Sequence, residues 1–201
     1  MAWGERTAWQ RGTLEADFFR RLLDDAAAQP ERRARRRRIV KPEEMPWELS
    51  PHGLLKHMVN EQMHTLAESI DIYMQIIPRG SRSGRHRHFA EEAFYVAEGE
   101  GYDLHWDCEV DADERGWRWI VPAEPARFDW KAGDVVYIPP ATIHQHHNAS
   151  TERPARIISA TNRVYKWSGL NNLEQLETAP EYQAGVPLRE LLRSLELQVV
   201  P

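Results

Sequence analysis

The residues best suited to chemistry in this chain are histidines and a carboxylate pair. The stretch "GRHRHFAEEAFYVAEGEG", Gly84 to Gly101, places His86 and His88 one residue apart and follows them with Glu91 and Glu92. Side chains on a strand alternate faces, so His86 and His88 point to one side, and Glu92 can reach back from the next strand. Two imidazoles and a carboxylate from adjacent strands suit a first-row divalent metal. Taken alone, the H-x-H pair fits a polar surface strand equally well. Downstream, "HQHHN" supplies His144, His146 and His147. The same alternation puts His144, His146 and Asn148 on one face, with Gln145 and His147 on the other.

The elements that must position these residues are strands. From about residue 54 the chain runs through "SIDIYMQIIP", "AFYVAEG", "YDLHWDCEV", "GWRWIVPA", "ARFDWKAGDVVYIPP" and "ARIISATN". These short segments are rich in β-branched and aromatic residues and are punctuated by Gly, Pro and Asn, the rhythm of an antiparallel barrel or sandwich. Before them, residues 13–28 read as an amphipathic helix with Thr13 as N-cap, and Pro30 ends it or begins another turn. Pro42 and Pro46 make 39–53 a connector. After the strands, Leu188, Leu191, Leu192 and Leu195 share one helical face and predict a short docking helix.

Composition narrows the function classes. At 201 residues the chain can bury a core without a disulfide or a structural metal. Its single cysteine, Cys108, suggests a reducing compartment. No N-terminal apolar run has signal-peptide length and no segment approaches a membrane span, so the expectation is a cytoplasmic protein without membrane contact. The formal net charge of −5 includes six arginines between Arg32 and Arg38. That run reads as a solvated segment or one packed on acidic surface, and the acidic remainder argues against a nucleic-acid binder.

The spacing around the histidines extends beyond a lone pair. Gly80, five residues, His86, one residue, His88, three residues, Glu92, six residues and Gly99 make a complete first cupin motif. Gly133, Pro139, Ala141, His144 and Asn148 follow the second motif, departing only where Ala141 replaces a turn glycine. A non-glycine residue at positive φ is costly, so Pro139–Pro140 is expected to hold a different turn. The intermotif segment leaves room for an extra hairpin around Asp111–Gly116.

The chain therefore resembles the cupins over about residues 66–163. The resemblance implies an all-β core, a double-stranded β-helix (jelly-roll barrel), with an N-terminal helical extension and a short C-terminal helix. The expected organisation is an Arg-rich helical extension and connector over 1–53, the barrel over 54–165, and a tail over 166–201. Carried over position by position, His86, His88, Glu92 and His144 are the implied metal ligands. Glu91 is expected to be exposed, His52, His57 and His64 to be surface or packing histidines, and His105 to face outward. Trp106, Trp117, Trp119 and Trp130 are expected to pack.

Further phrases, "MPWELSPHGLLKHMV", "DIYMQIIPRGSRSGRHRH", "VVYIPPATIHQHHNAS" and "NRVYKWSGLNNLEQLE", look like the gentisate dioxygenase-like branch. That branch implies Fe(II)- and O2-dependent oxidation of a hydroxylated aromatic acid or related phenol, and cupin habit implies a homodimer. Retention of Glu92 and a single cupin unit depart from the gentisate pattern. They leave open a non-oxidative isomerase, lyase or decarboxylase using Mn, Zn or Ni, or a small-molecule binding protein. Ring oxidation needs an acid/base group near the metal, for which His146 is the candidate. Gln75 and Arg82 are candidates for holding the substrate, with Arg85, Arg127, Arg156 and Arg163 as further arginines that a carboxylate could select.

Overall fold

The computed structural model describes residues 16–170 and 173–197, and divides the chain into one unit up to Arg36 and a second from Arg37 onward. In the first unit, helix α1 (Phe18–Ala34) continues through Pro30 rather than stopping there, and none of its residues is buried. Thr13 lies outside the described residues, and Asp17 caps the helix without a side-chain bond. Within this unit Arg32 pairs with Asp25 and Arg35 with Glu31; in the second, Arg37 pairs with Glu44. Half of the arginine run is thus neutralised locally, on exposed surface. Among the described residues, no helix is long and apolar enough to cross a membrane.

The second unit is built on two antiparallel sheets. Strands β1 (Trp47–Ser50), β2 (Gly53–Val59), β3 (Ile70–Ile77), β12 (Ala155–Asn162), β5 (Glu92–Glu98) and β10 (Val135–Ile138) form the larger one in that order. Strands β13 (Leu173–Gln175), β4 (His86–His88), β11 (Ile143–Asn148), β6 (Glu100–Trp106) and β9 (Ala126–Lys131) form the smaller one. The sheets close into a double-stranded β-helix. The hairpin foreseen near Asp111–Gly116 is present as β7 (Glu109–Asp113) and β8 (Gly116–Ile120), outside both sheets.

Alternation along the strands builds the interior. On β5, Glu92, Phe94 and Val96 are buried while Tyr95 stays half exposed, so one face supplies both a core and a functional carboxylate. Phe94 and Val96 join Ile77, Trp130, Ile138, Ala155 and Ile157 in the barrel core. Leu54 and Ile76 point the other way and meet Leu191 and Leu192 of helix α2 (Leu188–Ser194), with Leu188 and Leu195 packed alongside. The leucine face of the tail therefore covers the outside of β1–β3. Strand β1, read from sequence as connector, is part of the larger sheet.

One turn departs from expectation. Ala141 does adopt the glycine conformation, with φ 63°, and its amide donates to the His88 carbonyl at 2.9 Å. Left-handed backbone costs an alanine about 1–2 kcal/mol. Burial of its methyl, roughly 0.8 kcal/mol for a group of that size, together with this hydrogen bond, offsets the strain. The turn that links β10 to the histidine strand β11 is thus kept without the glycine.

Candidate metal centre

Strand β4 offers His86 and His88, β5 begins at Glu92, and β11 pairs with β4 so that His144 stands opposite His86. One ligand atom from each of these four buried side chains lies within 4.8 Å of all the others. Each imidazole takes its orientation from a carbonyl two residues away in sequence. Nδ1–H of His86 donates to Gly84 at 3.3 Å, that of His88 to Ala90 at 2.7 Å, and that of His144 to Thr142 at 3.0 Å. This fixes the tautomer that leaves every Nε2 lone pair for a metal.

Two observations test whether a divalent ion fits. The Nε2 of His144 is buried and has no hydrogen-bond partner among the described residues, an arrangement disfavoured unless something binds there. With its Nδ1–H committed, His88 holds Nε2 2.9 Å from Oε2 of Glu92, and two acceptors that close need a proton or a metal cation between them. The donor set fits. Glu92 is itself held by the Ser159 hydroxyl, by Tyr73 at 3.2 Å and by Thr161 at 3.3 Å. Burial works to raise its carboxyl, but the hydrogen bond and charge of His88, with His144 and His146, outweigh it and hold the carboxyl well below its usual range. Burial, with His144 and His52 nearby, pushes His86 well below the ordinary imidazole value. Burial lowers His144 to about 3, so these two ligands are neutral and ready to coordinate.

His86, His88 and Glu92 of the cluster line a cavity of about 990 Å³, with His144 buried behind them; Trp47, Leu55, Ile72, Tyr73, Arg163 and Lys166 are among its other walls. The remaining sequence candidates fall at different distances from it. His146 is fully buried, with Nδ1–H donating to Asp103 at 2.9 Å and Nε2 without a partner; its ring lies 5.5 Å from that of His144, but it does not line the cavity. Burial would lower it, yet the adjacent Asp103 carboxylate raises it. Gln75 is buried and also off the cavity wall: it stands opposite Leu55, and its amide donates to the His52 carbonyl at 2.9 Å, which ties it to the β1–β2 turn. Arg82 is exposed beside His147, with which it forms an isolated bridge on the outward face of β11, and it takes no part in the cavity wall.

Sequence reading misplaced one histidine and did not single out another. His105 is buried, because β6 pairs with β11 in a register that sets His105 opposite His144 and Asp103 opposite His146, turning all four to the same face. His52, expected to be a surface or packing histidine without a part in the site, lines the cavity from the β1–β2 turn with its ring 4.3 Å from that of His86. Burial, reinforced by His146, lowers it to about 3. Its Nε2 meets the Tyr73 hydroxyl at 3.4 Å. No spacing marks His52; only its place after Pro51 in a tight turn between two strands offered a signal. Glu91 is exposed as expected and accepts from Tyr137 at 2.9 Å. Trp130 packs in the core, Trp106 lies buried under Arg85, and Trp119 stacks against Arg87.

A jelly-roll barrel holding three histidines and a glutamate within reach of one ion defines a metal-binding cupin. Within that class, the chain belongs to the auxin binding protein family, whose description matches residues 37–164. An uncharacterized protein of Methanocaldococcus jannaschii is 28% identical over 100 residues, 49% of this chain and 65% of that relative. Among solved structures, a mutant of Bacillus subtilis oxalate decarboxylase is 16% identical with a TM-score of 0.47, covering 79% of this chain and 37% of its own. DMSP lyase DddQ from Ruegeria pomeroyi is 15% identical with a TM-score of 0.46, covering 66% and 61%. A cupin-like protein of Thermotoga maritima is 18% identical with a TM-score of 0.43, covering 81% and 100%. The chain thus spans less than two thirds of the curated relative and of the decarboxylase it matches.

Proposed function

We propose that this cupin is a metal-dependent enzyme, an Fe(II) dioxygenase acting on a hydroxylated aromatic acid or related phenol. The observation that supports it is the position of the ligand cluster at the floor of a cavity whose wall joins Trp47, Leu55 and Ile72 to the cations Arg163 and Lys166. Flat apolar walls suit a ring, and cations suit an acid substituent. Four protein ligands would leave a six-coordinate ion two positions for exogenous ligands. Fe(II) held there would supply O2 activation and polarise a ring hydroxyl. Tyr73, which lines the cavity and donates to Glu92, orients that carboxylate on the substrate side. His146 serves at one remove: Asp103 fixes its Nδ1–H, so its Nε2 can accept a proton.

A second reading, a non-oxidative isomerase, lyase or decarboxylase with Mn, Zn or Ni, draws on Glu92, whose two oxygens are locked by three hydroxyls. Anaerobic reconstitution with Fe(II), followed by O2 uptake against a panel of phenolic acids, separates the two. Uptake with a phenolic acid is expected. Turnover under strict anaerobiosis with no uptake on any phenol would replace the first reading by the second. Binding without turnover under either condition would favour a binding protein, the role that the family's description names.

A further inference from the structure

We infer that Arg163 is the specificity-determining residue of the cavity, and that it selects substrates carrying a carboxylate on the ring. This deepens the dioxygenase reading and rests on it for the aromatic ring, while the choice of an anionic group rests on Arg163 itself.

Five arginines could hold an acid, and geometry separates them. Arg85 is engaged with Glu177 at 2.7 Å and lies over Trp106; Arg127 pairs with Asp129 at 2.7 Å and covers Tyr102; Arg156 pairs with Glu98 at 3.3 Å. Arg82 is exposed beside His147. None of these four lines the cavity, and Arg163 does. Its backbone amide is tied to the Ser69 carbonyl at 2.8 Å, which anchors the residue just past the end of β12. Its guanidinium has one loose ion pair, Nε to Asp71 at 3.5 Å, and its two terminal nitrogens make no hydrogen bond among the described residues. A planar fork whose outer donors are uncommitted among the described residues, half-buried on a cavity wall, is shaped for a bidentate carboxylate.

Its distance from the metal cluster follows from the strand. Thr161, on the same β12 run, is buried and its hydroxyl donates to Glu92. Arg163 stands two residues further on, so its backbone is roughly 7 Å beyond that contact at the usual rise of a strand. That spacing puts Arg163 on the same face of the run as Thr161 and on the wall of the cavity that His86, His88 and Glu92 also line. Asp71 completes the arrangement. Burial raises its carboxyl, and the charge of Arg163 works against that rise, so the acid holds the guanidinium in place. A ligand carboxylate would add to that pairing at the free end of the fork.

The test uses the full-length protein loaded with Zn(II), which carries out no oxidation, and calorimetric binding of 3-hydroxybenzoate, 4-hydroxybenzoate and phenol. Arg163→Gln should weaken the two acids about 10- to 100-fold, the range for loss of a charge-assisted hydrogen-bond pair, and phenol less than about twofold. Arg163→Lys keeps the charge without the fork and should fall between. Should Arg163→Gln fail to fold, the lysine variant carries the comparison. Arg82→Gln should leave all three ligands unchanged. Equal weakening of acids and phenol, or no weakening, overturns the inference. O2 uptake on the Fe(II)-loaded protein keeps the two claims apart. Uptake with a dihydroxybenzoate that is indifferent to Arg163→Gln removes the inference and keeps the dioxygenase. Acid binding that depends on Arg163 without any uptake removes the dioxygenase and keeps the inference.

Discussion

At the floor of the cavity, each ligand histidine is oriented by a carbonyl two residues along its own chain segment. At the mouth, Lys166 pairs with Glu61 across 105 positions of sequence, and Arg163 reaches back to Asp71. The floor groups are buried and their tautomers fixed; the mouth groups are about a third exposed. Short local bonds in a dry interior hold a donor set rigid before any ion arrives. Ion pairs facing water hold shape weakly but can exchange partners with a ligand. The same cavity is thus rigid where chemistry needs fixed ligands and adaptable where substrate must enter.

The sharpest way to test the rigid half is within one strand. His144 and His147 both lie on β11, but His147 turns away from the cluster, stacks on Tyr102 and meets Gln145 at 3.2 Å. His144→Ala should reduce metal affinity by about 100-fold or more, beyond the 10- to 100-fold that loss of an outer hydrogen bond brings. His147→Ala should leave metal content unchanged. Metal analysis after dialysis reads both, and equal loss in the two variants would break the assignment of faces on β11.

The rigid half also has a pH signature. Burial holds His52 and His144 to about 3 in the folded chain, against an ordinary 6.5. As pH falls through 6.5, the unfolded chain takes up protons that the folded chain refuses, so stability is complete above 6.5 and drains towards about pH 3. Each histidine contributes a slope of about 1.4 kcal/mol per pH unit in that window. Thermal denaturation of metal-free protein between pH 7 and pH 4 should show a steep fall, and a flat profile would mean these imidazoles are solvated. Bound metal should raise the midpoint at pH 7 and leave a slope at least as steep, because liganded nitrogens in the folded chain still take no proton while those of the unfolded chain do.

What was legible in the sequence follows the same division. The histidine strand, the carboxylate and the downstream histidine are set by alternation and short spacing, so His86, His88, Glu92 and His144 could be nominated and are brought together here. The extra hairpin and the leucine face of the tail were readable for the same local reason. His52 and the choice of Arg163 over Arg82 were not, because each depends on where a distant turn or strand end closes over the cavity. His105 was misread because its neighbours Leu104 and Trp106 are apolar yet face outward, and only the pairing of β6 with β11 reveals it.

Gly84 ties the rigid half to the His52 turn and to the segment at β13. An added Cβ there would meet the Pro51 carbonyl at 2.3 Å, the Gln175 amide at 2.3 Å and the Glu177 carbonyl at 2.7 Å. Its own amide donates to His52, and its carbonyl orients His86. Gly84→Ala must therefore push apart the His52 turn and the segment at β13, at about 1–3 kcal/mol for an overpacked site. A lowered thermal midpoint together with weakened metal binding is the expected pair. A drop in midpoint with metal affinity intact would show that the turn yields without disturbing His86.

The smallest effect belongs to the mouth. Glu61→Gln removes the partner of Lys166, a pair with side chains 36% and 30% exposed. Solvent screening limits such a pair to about 0.2–1 kcal/mol, so the thermal midpoint should barely move and should move less still at high salt. Glu61 also lies among the charges that bear on Asp71, raising it by repulsion, so its neutralisation should let Asp71 ionise more readily beside Arg163. Hydroxybenzoate affinity is then drawn in two directions: the wall loses a negative charge, which favours the anion, while Asp71 competes harder for the guanidinium. Arg163 meets Asp71 at Nε in a loose ion pair of 3.5 Å, and its outer nitrogens make no hydrogen bond among the described residues, so the first effect should win and the acids should bind slightly tighter. Weaker acid binding would mean that Asp71 and the ligand claim the same edge of the fork.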